Sequence, residues 1–269
     1  MPRVARAALH FWEEPCISGA CGSGTVFFSG CPLKCCFCQN HEISSGMAGV
    51  DISIERLAEI YIELQAQGAH NINLVSPTQF TAQIAESLKL AKDKGLAIPV
   101  AWNAGGYDSL EGLALVDGLV DVYMPDIKYM DAARSLRYSK AADYFEVASK
   151  AVTEMYRQAG PAVFDGEGVM RKGLLVRHLV LPGGTADSVA ILDWMAKHLD
   201  RENIVVSLMS QYMPCHESAK YPEINRRLTA LEYERVLSHL RKLGFRYGYC
   251  QEKGSAKEGY VPEFNGEGI

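Results

Sequence analysis

Short apolar runs alternate with amphipathic stretches along most of the chain, the spacing of repeated strand–helix units around a parallel sheet. Thr25–Ser29 reads as the first strand. Ile54, Leu57, Ala58 and Tyr61 then recur at helical spacing, with Ser53 available as N-cap. Asn71–Ser76 is the second strand, and the helix after it carries Ile84, Leu88 and Ala91 on one face and is closed by Gly95. Ile98–Trp102 and Val122–Pro125 are the third and fourth strands. Helical turns run to about Ser139, and Tyr144, Val147, Ala148, Ala151, Val152 and Met155 stand in register on the next helix. Leu174–Leu181 is the fifth strand, with Val189, Leu192, Ala196 and Leu199 marking its return helix, and Ile204–Met209 is the sixth. Thr229-x-x-Glu232 is a capping box that opens a last helix bearing Tyr233, Val236, Leu240 and Leu243. Six strands and six crossovers predict an α/β fold, an open (βα)6 partial TIM-type barrel over residues 24–250. Residues 1–23 would be an N-terminal extension, and the Gly-rich, charged stretch 251–269 a C-terminal tail or lid.

A length of 269 residues suits one large domain, and 48% hydrophobic residues suffice for its core. The net charge is −5 and no cluster of Lys and Arg stands out along the sequence, which speaks against nucleic-acid binding. No apolar run approaches the ~20 residues that span a bilayer. The stretch from Ala7 to Trp12 is too short for a signal-peptide core and leads straight into Glu13 and Glu14. A cytoplasmic location without membrane contact is expected.

Three of the eight cysteines follow the first strand as Cys31-x-x-x-Cys35-x-x-Cys38. Three thiolates on one short loop can hold three irons of a cubane cluster and leave the fourth iron without a protein ligand. Such an open iron can bind a substrate or cofactor. Zinc is the alternative. It usually takes four ligands, and no second CxxC or HxxxH completes the set, although His41 could supply the fourth. A disulfide framework fits a chain of this size poorly. Cys36 would project away from the site, while Cys16, Cys21, Cys215 and Cys250 read as scattered small hydrophobes.

Ligands of parallel α/β folds collect at the C-terminal ends of the strands. Besides the cysteines, those ends offer Ser76-Pro-Thr-Gln79, Asn103-Ala-Gly-Gly106-Tyr107-Asp108, Pro125-Asp126-Ile-Lys128, Arg177 with His178, and Ser207 with Ser210, Gln211 and Tyr212. His178 alternates to the opposite face from Arg177, so a structural, hydrogen-bonded role is expected for it.

Phe28-Ser-Gly-Cys31-Pro-Leu-Lys-Cys35-Cys-Phe-Cys38-Gln-Asn resembles the cluster loop of radical S-adenosylmethionine (radical SAM) enzymes. More narrowly, four stretches resemble proteins related to pyruvate formate-lyase activating enzyme. They are Trp12-Glu-Glu-Pro-Cys-Ile-Ser-Gly19, Gly68-Ala-His-Asn-Ile-Asn-Leu74, Arg177-His-Leu-Val-Leu-Pro-Gly183 and Tyr221-Pro-Glu-Ile-Asn-Arg-Arg227. The resemblance implies that Cys31, Cys35 and Cys38 ligate a [4Fe-4S] cluster whose open iron chelates S-adenosylmethionine. Reduction by a flavodoxin or ferredoxin-type partner would cleave the cofactor to a 5′-deoxyadenosyl radical that abstracts hydrogen from a substrate, by resemblance a glycyl-radical enzyme. Phe37, Ser76, Gln79, Asn103, Asp126, Lys128 and Arg177 are the implied cofactor-binding positions.

Two stretches depart from the activating enzymes. Ser76-Pro-Thr-Gln79 replaces their Ser-Gly-Gly-Glu, so Pro77 removes a backbone donor and Gln79 a charge. Asn103-Ala-Gly-Gly106 replaces their Asp-Thr-Asn-Gly, whose carboxylate is linked to a monovalent cation. A rearranged cofactor grip follows, with two rivals to glycyl-radical activation: a radical SAM enzyme acting on a small molecule or peptide, and a non-catalytic iron–sulfur electron carrier.

Overall fold

A computed structural model of the protein describes residues 1–250 and 262–269. Strand β1 (Arg3–His10) runs antiparallel to β2 (Ser23–Phe28), and the helical turn α1 (Pro15–Ser18) lies between them. After the cysteine loop come α2 (His41–Ser44) and the short β3 (Val50–Asp51), which pairs with the start of β1. Helix α3 (Ile54–Ala66) then begins the repeating part of the fold, capped by the Ser53 side chain as its sequence requires.

The repeat proceeds through β4 (Ile72–Val75), α4 (Thr81–Asp93), β5 (Val100–Ala104), α5 (Leu110–Leu115) and β6 (Val122–Pro125). It continues with α6 (Ala132–Ser139), α7 (Tyr144–Ala159), β7 (Val163–Phe164), β8 (Met170–Leu179) and α8 (Thr185–His198). β9 (Val205–Met209), α9 (Ala230–Leu243) and β10 (Tyr247–Cys250) complete it. The sheet order is β10-β9-β8-β6-β5-β4-β2-β1-β3, parallel from β10 to β2. It is the expected open α/β barrel.

Several details differ from the sequence reading. Among the described residues seven parallel strands form, because Tyr247–Cys250 adds to β9; a four-residue edge strand containing Gly248 leaves too short a pattern to read. The third strand starts at Val100 and not Ile98, since Pro99 has no N–H for the ladder. The strand also runs on to Ala104, so Asn103 lies within β5 rather than in the loop beyond it. The predicted extension contains β1, and its residues sit on the same sheet.

Two apolar layers sandwich the strands. Leu57, Ile60, Tyr61 and Leu64 of α3, with Ile84 and Leu88 of α4, pack outside against Val26, Phe28, Leu74 and Trp102. Each such buried Leu or Ile contributes about 1.5–3 kcal/mol. Inside the barrel, Ala101, Val122, Met124, Leu175 and Val205 close around Cys16 and Ile17 of α1, which plugs the floor. The described end of the chain lies along β1: Gly266 N–H donates to the Ala5 carbonyl at 3.1 Å, Ala7 N–H to the Glu267 carbonyl at 2.8 Å, and Phe264 meets Phe27 edge-on. This segment covers a strand edge that would otherwise present unpaired backbone groups. The rest of the predicted tail, 251–261, lies outside the described residues.

Candidate functional site

Strand β2 delivers the cysteine loop at its C-terminal end. The chain leaves the strand through Gly30, whose φ of +93° suits glycine, and Gly30 N–H donates to the Ile43 carbonyl at 2.8 Å. The loop is then tied down from both sides. Lys34 N–H donates to the Ser139 carbonyl at 3.1 Å, Cys36 N–H to the Tyr138 carbonyl at 2.8 Å, and Glu217 N–H to the Cys36 carbonyl at 2.8 Å.

Cys31, Cys35 and Cys38 are free and partly accessible, while Cys36 is buried with Leu33 and Phe37. The Ser139 hydroxyl donates to Cys35 Sγ at 3.0 Å, and the Ser44 hydroxyl lies 3.2 Å from Cys38 Sγ. Burial pushes the Cys31 thiol up to about 12, with the neighbouring Cys35 adding to the shift. Burial also raises Cys35, against the pull of the Lys128 ammonium and the Ser139 hydroxyl. Three unpaired thiols on one loop, with hydroxyl partners and a cation nearby, fit a multi-iron cluster. Among the described residues, no three His, Cys, Asp or Glu converge on a point that one metal ion could fill. Zinc would need its sulfurs about 2.3 Å from a common centre. His41 instead stacks on His216 with ring centroids 4.7 Å apart.

Beneath the loop, the barrel interior holds a network of charges. Arg177 Nε donates to Asp126 Oδ1 at 3.0 Å, Nη1 to Glu13 Oε2 at 3.2 Å, and Nη2 to Asn103 Oδ1 at 2.5 Å. Glu13 Oε1 accepts from the side-chain amides of Asn73 and Asn103, each at 3.1 Å. Lys128 Nζ meets Asp126 Oδ2 at 2.5 Å. Burial would raise the Asp126 carboxyl, but Lys128 and Arg177 hold it below the usual carboxylate range. Burial opposes the charge on Lys128 and Arg177, yet Asp126 raises both above their ordinary values. Glu14 is also enclosed here. Burial raises it, despite Arg177 and a hydrogen bond from Ser207.

Backbone geometry brings these strand ends together. Tyr144 acts as a hub, its hydroxyl accepting from Lys128 N–H at 2.9 Å and lying 2.9 and 2.8 Å from the Gly105 and Asp126 carbonyls. A Cβ on Gly106 would stand 2.3 Å from the Asp126 carbonyl oxygen, so only glycine permits this approach.

The sequence-derived positions fall in three places. Asn103, Asp126, Lys128 and Arg177 meet in the network. Ser76 and Gln79 stand apart at the β4 end, where the Gln79 amide folds back to donate to the carbonyls of Ser29 at 3.1 Å and Ser76 at 2.8 Å. Phe37 packs edge-on against Tyr212 at 5.6 Å. Sequence reasoning assigned no role to Glu13, Glu14 or Asn73. The Glu-Glu pair before Pro15 was visible, but only folding shows that the segment turns up into the barrel.

His178 faces outward from β8, as alternation requires. Its Nδ1 is 2.6 Å from the Ile127 carbonyl, which only accepts, so Nδ1 carries the proton and Nε2 accepts from Ser188 at 2.8 Å. Burial lowers its pKa from the ordinary 6.5. Below pH 6.5 the unfolded chain therefore binds a proton that the folded chain refuses, and stability falls as pH drops. Urea denaturation should show this decline from pH 6.5 downward, and it should flatten in His178→Gln. An equal slope in the variant would contradict the assignment.

No family model matches the chain. An uncharacterized protein of Methanocaldococcus jannaschii is 34% identical over 244 residues, which cover 87% of this chain and 65% of that protein. The structure of Streptococcus suis SuiB bound to S-adenosylmethionine superposes with a TM-score of 0.54 at 12% identity, over 84% of this chain and 46% of SuiB. Methylornithine synthase gives a TM-score of 0.54 at 16% identity, over 81% of this chain and 62% of that enzyme. The chain thus spans less than two thirds of each of these proteins. The fold is the open parallel barrel shared with these two solved proteins, as the repeated strand–helix pattern led one to expect.

Proposed function

We propose that the chain is a radical SAM enzyme in which Cys31, Cys35 and Cys38 hold a [4Fe-4S] cluster and S-adenosylmethionine binds beside them. When bound and reduced, the cluster would supply the electron that splits S-adenosylmethionine into methionine and a 5′-deoxyadenosyl radical, which would take a hydrogen atom from the substrate. The observation that carries this reading is the set of three free thiols at the end of β2, above the Asp126–Lys128–Arg177 network. An electron carrier needs a cluster near the surface and little else. A charged barrel interior suits an enzyme better.

The chain's own residues would do three things. The Lys128 charge favours the Cys35 and Cys31 thiolates, against the burial that raises both thiols. Ser139 and Ser44 hold two of the sulfurs in place. Arg177, pinned by Glu13 and Asn103, keeps Asp126 ionised and aimed at Lys128. Anaerobic reconstitution with iron and sulfide, followed by electron paramagnetic resonance of the reduced protein, tests the assignment. The expected spectrum changes when S-adenosylmethionine is added; an unaltered spectrum would contradict it.

For the substrate, the first reading is a glycyl-radical enzyme, on the resemblance to activating enzymes. A second has its own support: Gln79 and Asn103 are engaged within the protein where those enzymes present carboxylates, which favours a small molecule or peptide. A glycine-centred radical on an added partner protein would decide for the first.

A further inference from the structure

The sequence shows no basic cluster, but folding assembles one beside the cysteine loop. Arg137, Lys140 and Lys220 are exposed around Tyr221, the exposed Leu136 stands one helical turn before Lys140, and the exposed Lys34 lies beside them through its backbone bond to Ser139. Lys140 Nζ donates to the Tyr221 hydroxyl at 3.1 Å, and the Arg137 guanidinium lies 5.0 Å from the centre of the Tyr221 ring. Glu223 and Glu217 pair with Arg137 and Lys220, at 2.7 and 2.5 Å. Lys34 and Lys140 contact only carbonyls and a phenol, and neither forms an ion pair among the described residues. A chain with a net charge of −5 thus carries locally excess positive charge, grouped about an aromatic and an aliphatic side chain.

This surface is wired to the loop. Lys140 directly follows Ser139, whose hydroxyl donates to Cys35 Sγ at 3.0 Å and whose carbonyl accepts from Lys34 N–H at 3.1 Å. Tyr138 accepts from Cys36 N–H at 2.8 Å and meets Tyr221 edge-on at 5.5 Å. A molecule seated on Lys140 and Tyr221 is therefore separated from Cys35 by little more than one serine.

We propose that the face formed by Lys34, Leu136, Arg137, Lys140, Lys220 and Tyr221 docks an acidic one-electron carrier protein, of flavodoxin or ferredoxin type. The inference rests on the radical SAM reading. In the docked complex the carrier is oxidised by one electron and the group held by the three cysteines is reduced by one; no bond forms and no proton moves. Transient redox complexes bury small interfaces, and opposite charges steer their encounter. A nucleic acid fits less well, because Glu217 and Glu223 interrupt the patch and no basic stripe extends it.

The test titrates a recombinant flavodoxin with an acidic rim into the reconstituted protein by calorimetry, at about 20 and about 300 mM salt, which shortens the Debye length several-fold. Binding is expected to weaken at least about 10-fold at the higher salt. At low salt the double variant Lys140→Glu with Lys220→Glu should bind at least about 10-fold more weakly. Lys172→Glu, at the opposite end of β8, should bind like the wild type. Lys140→Ala, with a smaller loss of about 3-fold, serves if the double variant melts early. Dithionite-driven formation of 5′-deoxyadenosine should be equal in all variants. Equal flavodoxin affinity in the folded variants, salt-independent binding, or displacement of the flavodoxin by a short DNA duplex would each overturn the docking proposal. Failure of the wild type to cleave S-adenosylmethionine with dithionite, while flavodoxin still binds, would sink the enzymatic reading and leave the docking surface standing.

Discussion

Arg177→Met is expected to cost about 3–5 kcal/mol of folding stability, because it breaks a buried ion-pair network by removing one partner. The Arg177 side chain is 14% exposed, and its guanidinium serves three acceptors at once: Glu13, Asn103 and Asp126. Without it, the Glu13 carboxylate stays in the barrel with only two amide donors, and Asp126 keeps Lys128 alone. Methionine restores volume but no donor. Arg177→Lys should recover part of the loss, since a single ammonium cannot reproduce the planar fork. Equilibrium denaturation in guanidinium checks this through the midpoint at an unchanged slope. A loss below about 1 kcal/mol for Arg177→Met would place the network near the surface in energetic terms and contradict the account.

The second large effect separates two adjacent cysteines. Cys35→Ala should abolish cluster retention and lower formation of 5′-deoxyadenosine by at least about 100-fold, because the chemistry belongs to the cofactor and not to side chains that could substitute for it. Cys36→Ala should keep both, at a cost of about 1–2 kcal/mol for a small core vacancy. The structure gives the reason: Cys35 receives the Ser139 hydroxyl, while Cys36 packs among Leu33 and Phe37. Iron and sulfide content and chromatography of the nucleoside product provide the readouts. Similar losses in both variants would mean that the loop is held differently.

The fold was legible where local pattern and tertiary structure agree. Helix α3 shows its Ser53 cap and apolar face in the sequence, and α9 shows its full capping box. Val122–Pro125 is a continuous apolar run of strand length, as suits a strand buried on both faces. The antiparallel β1 was harder, because Arg3 and Arg6 interrupt its apolar positions and its partner at β3 is two residues long. Of the site, the cysteine spacing was legible because ligands on one loop are close in sequence. Of the charge network, Asn103, Asp126, Lys128 and Arg177 were legible as strand-end positions, but Glu13 was not, since it lies 164 residues from Arg177. The basic face beside the loop was hidden for the same reason: Lys34, Lys140 and Lys220 come from three separate segments, and composition alone reported only their sum, a mildly acidic chain. Asn103 and Gln79 were recognised as positions, but their side chains turn toward the protein itself, which a linear motif cannot reveal.

The measurement that bears most directly on the central claim is chromatography for 5′-deoxyadenosine after the anaerobically reconstituted protein is reduced with dithionite and given S-adenosylmethionine. The account predicts product in the wild type and its loss in Cys35→Ala. A fully formed, reducible cluster that leaves S-adenosylmethionine intact would contradict it and make the electron-carrier reading the better one.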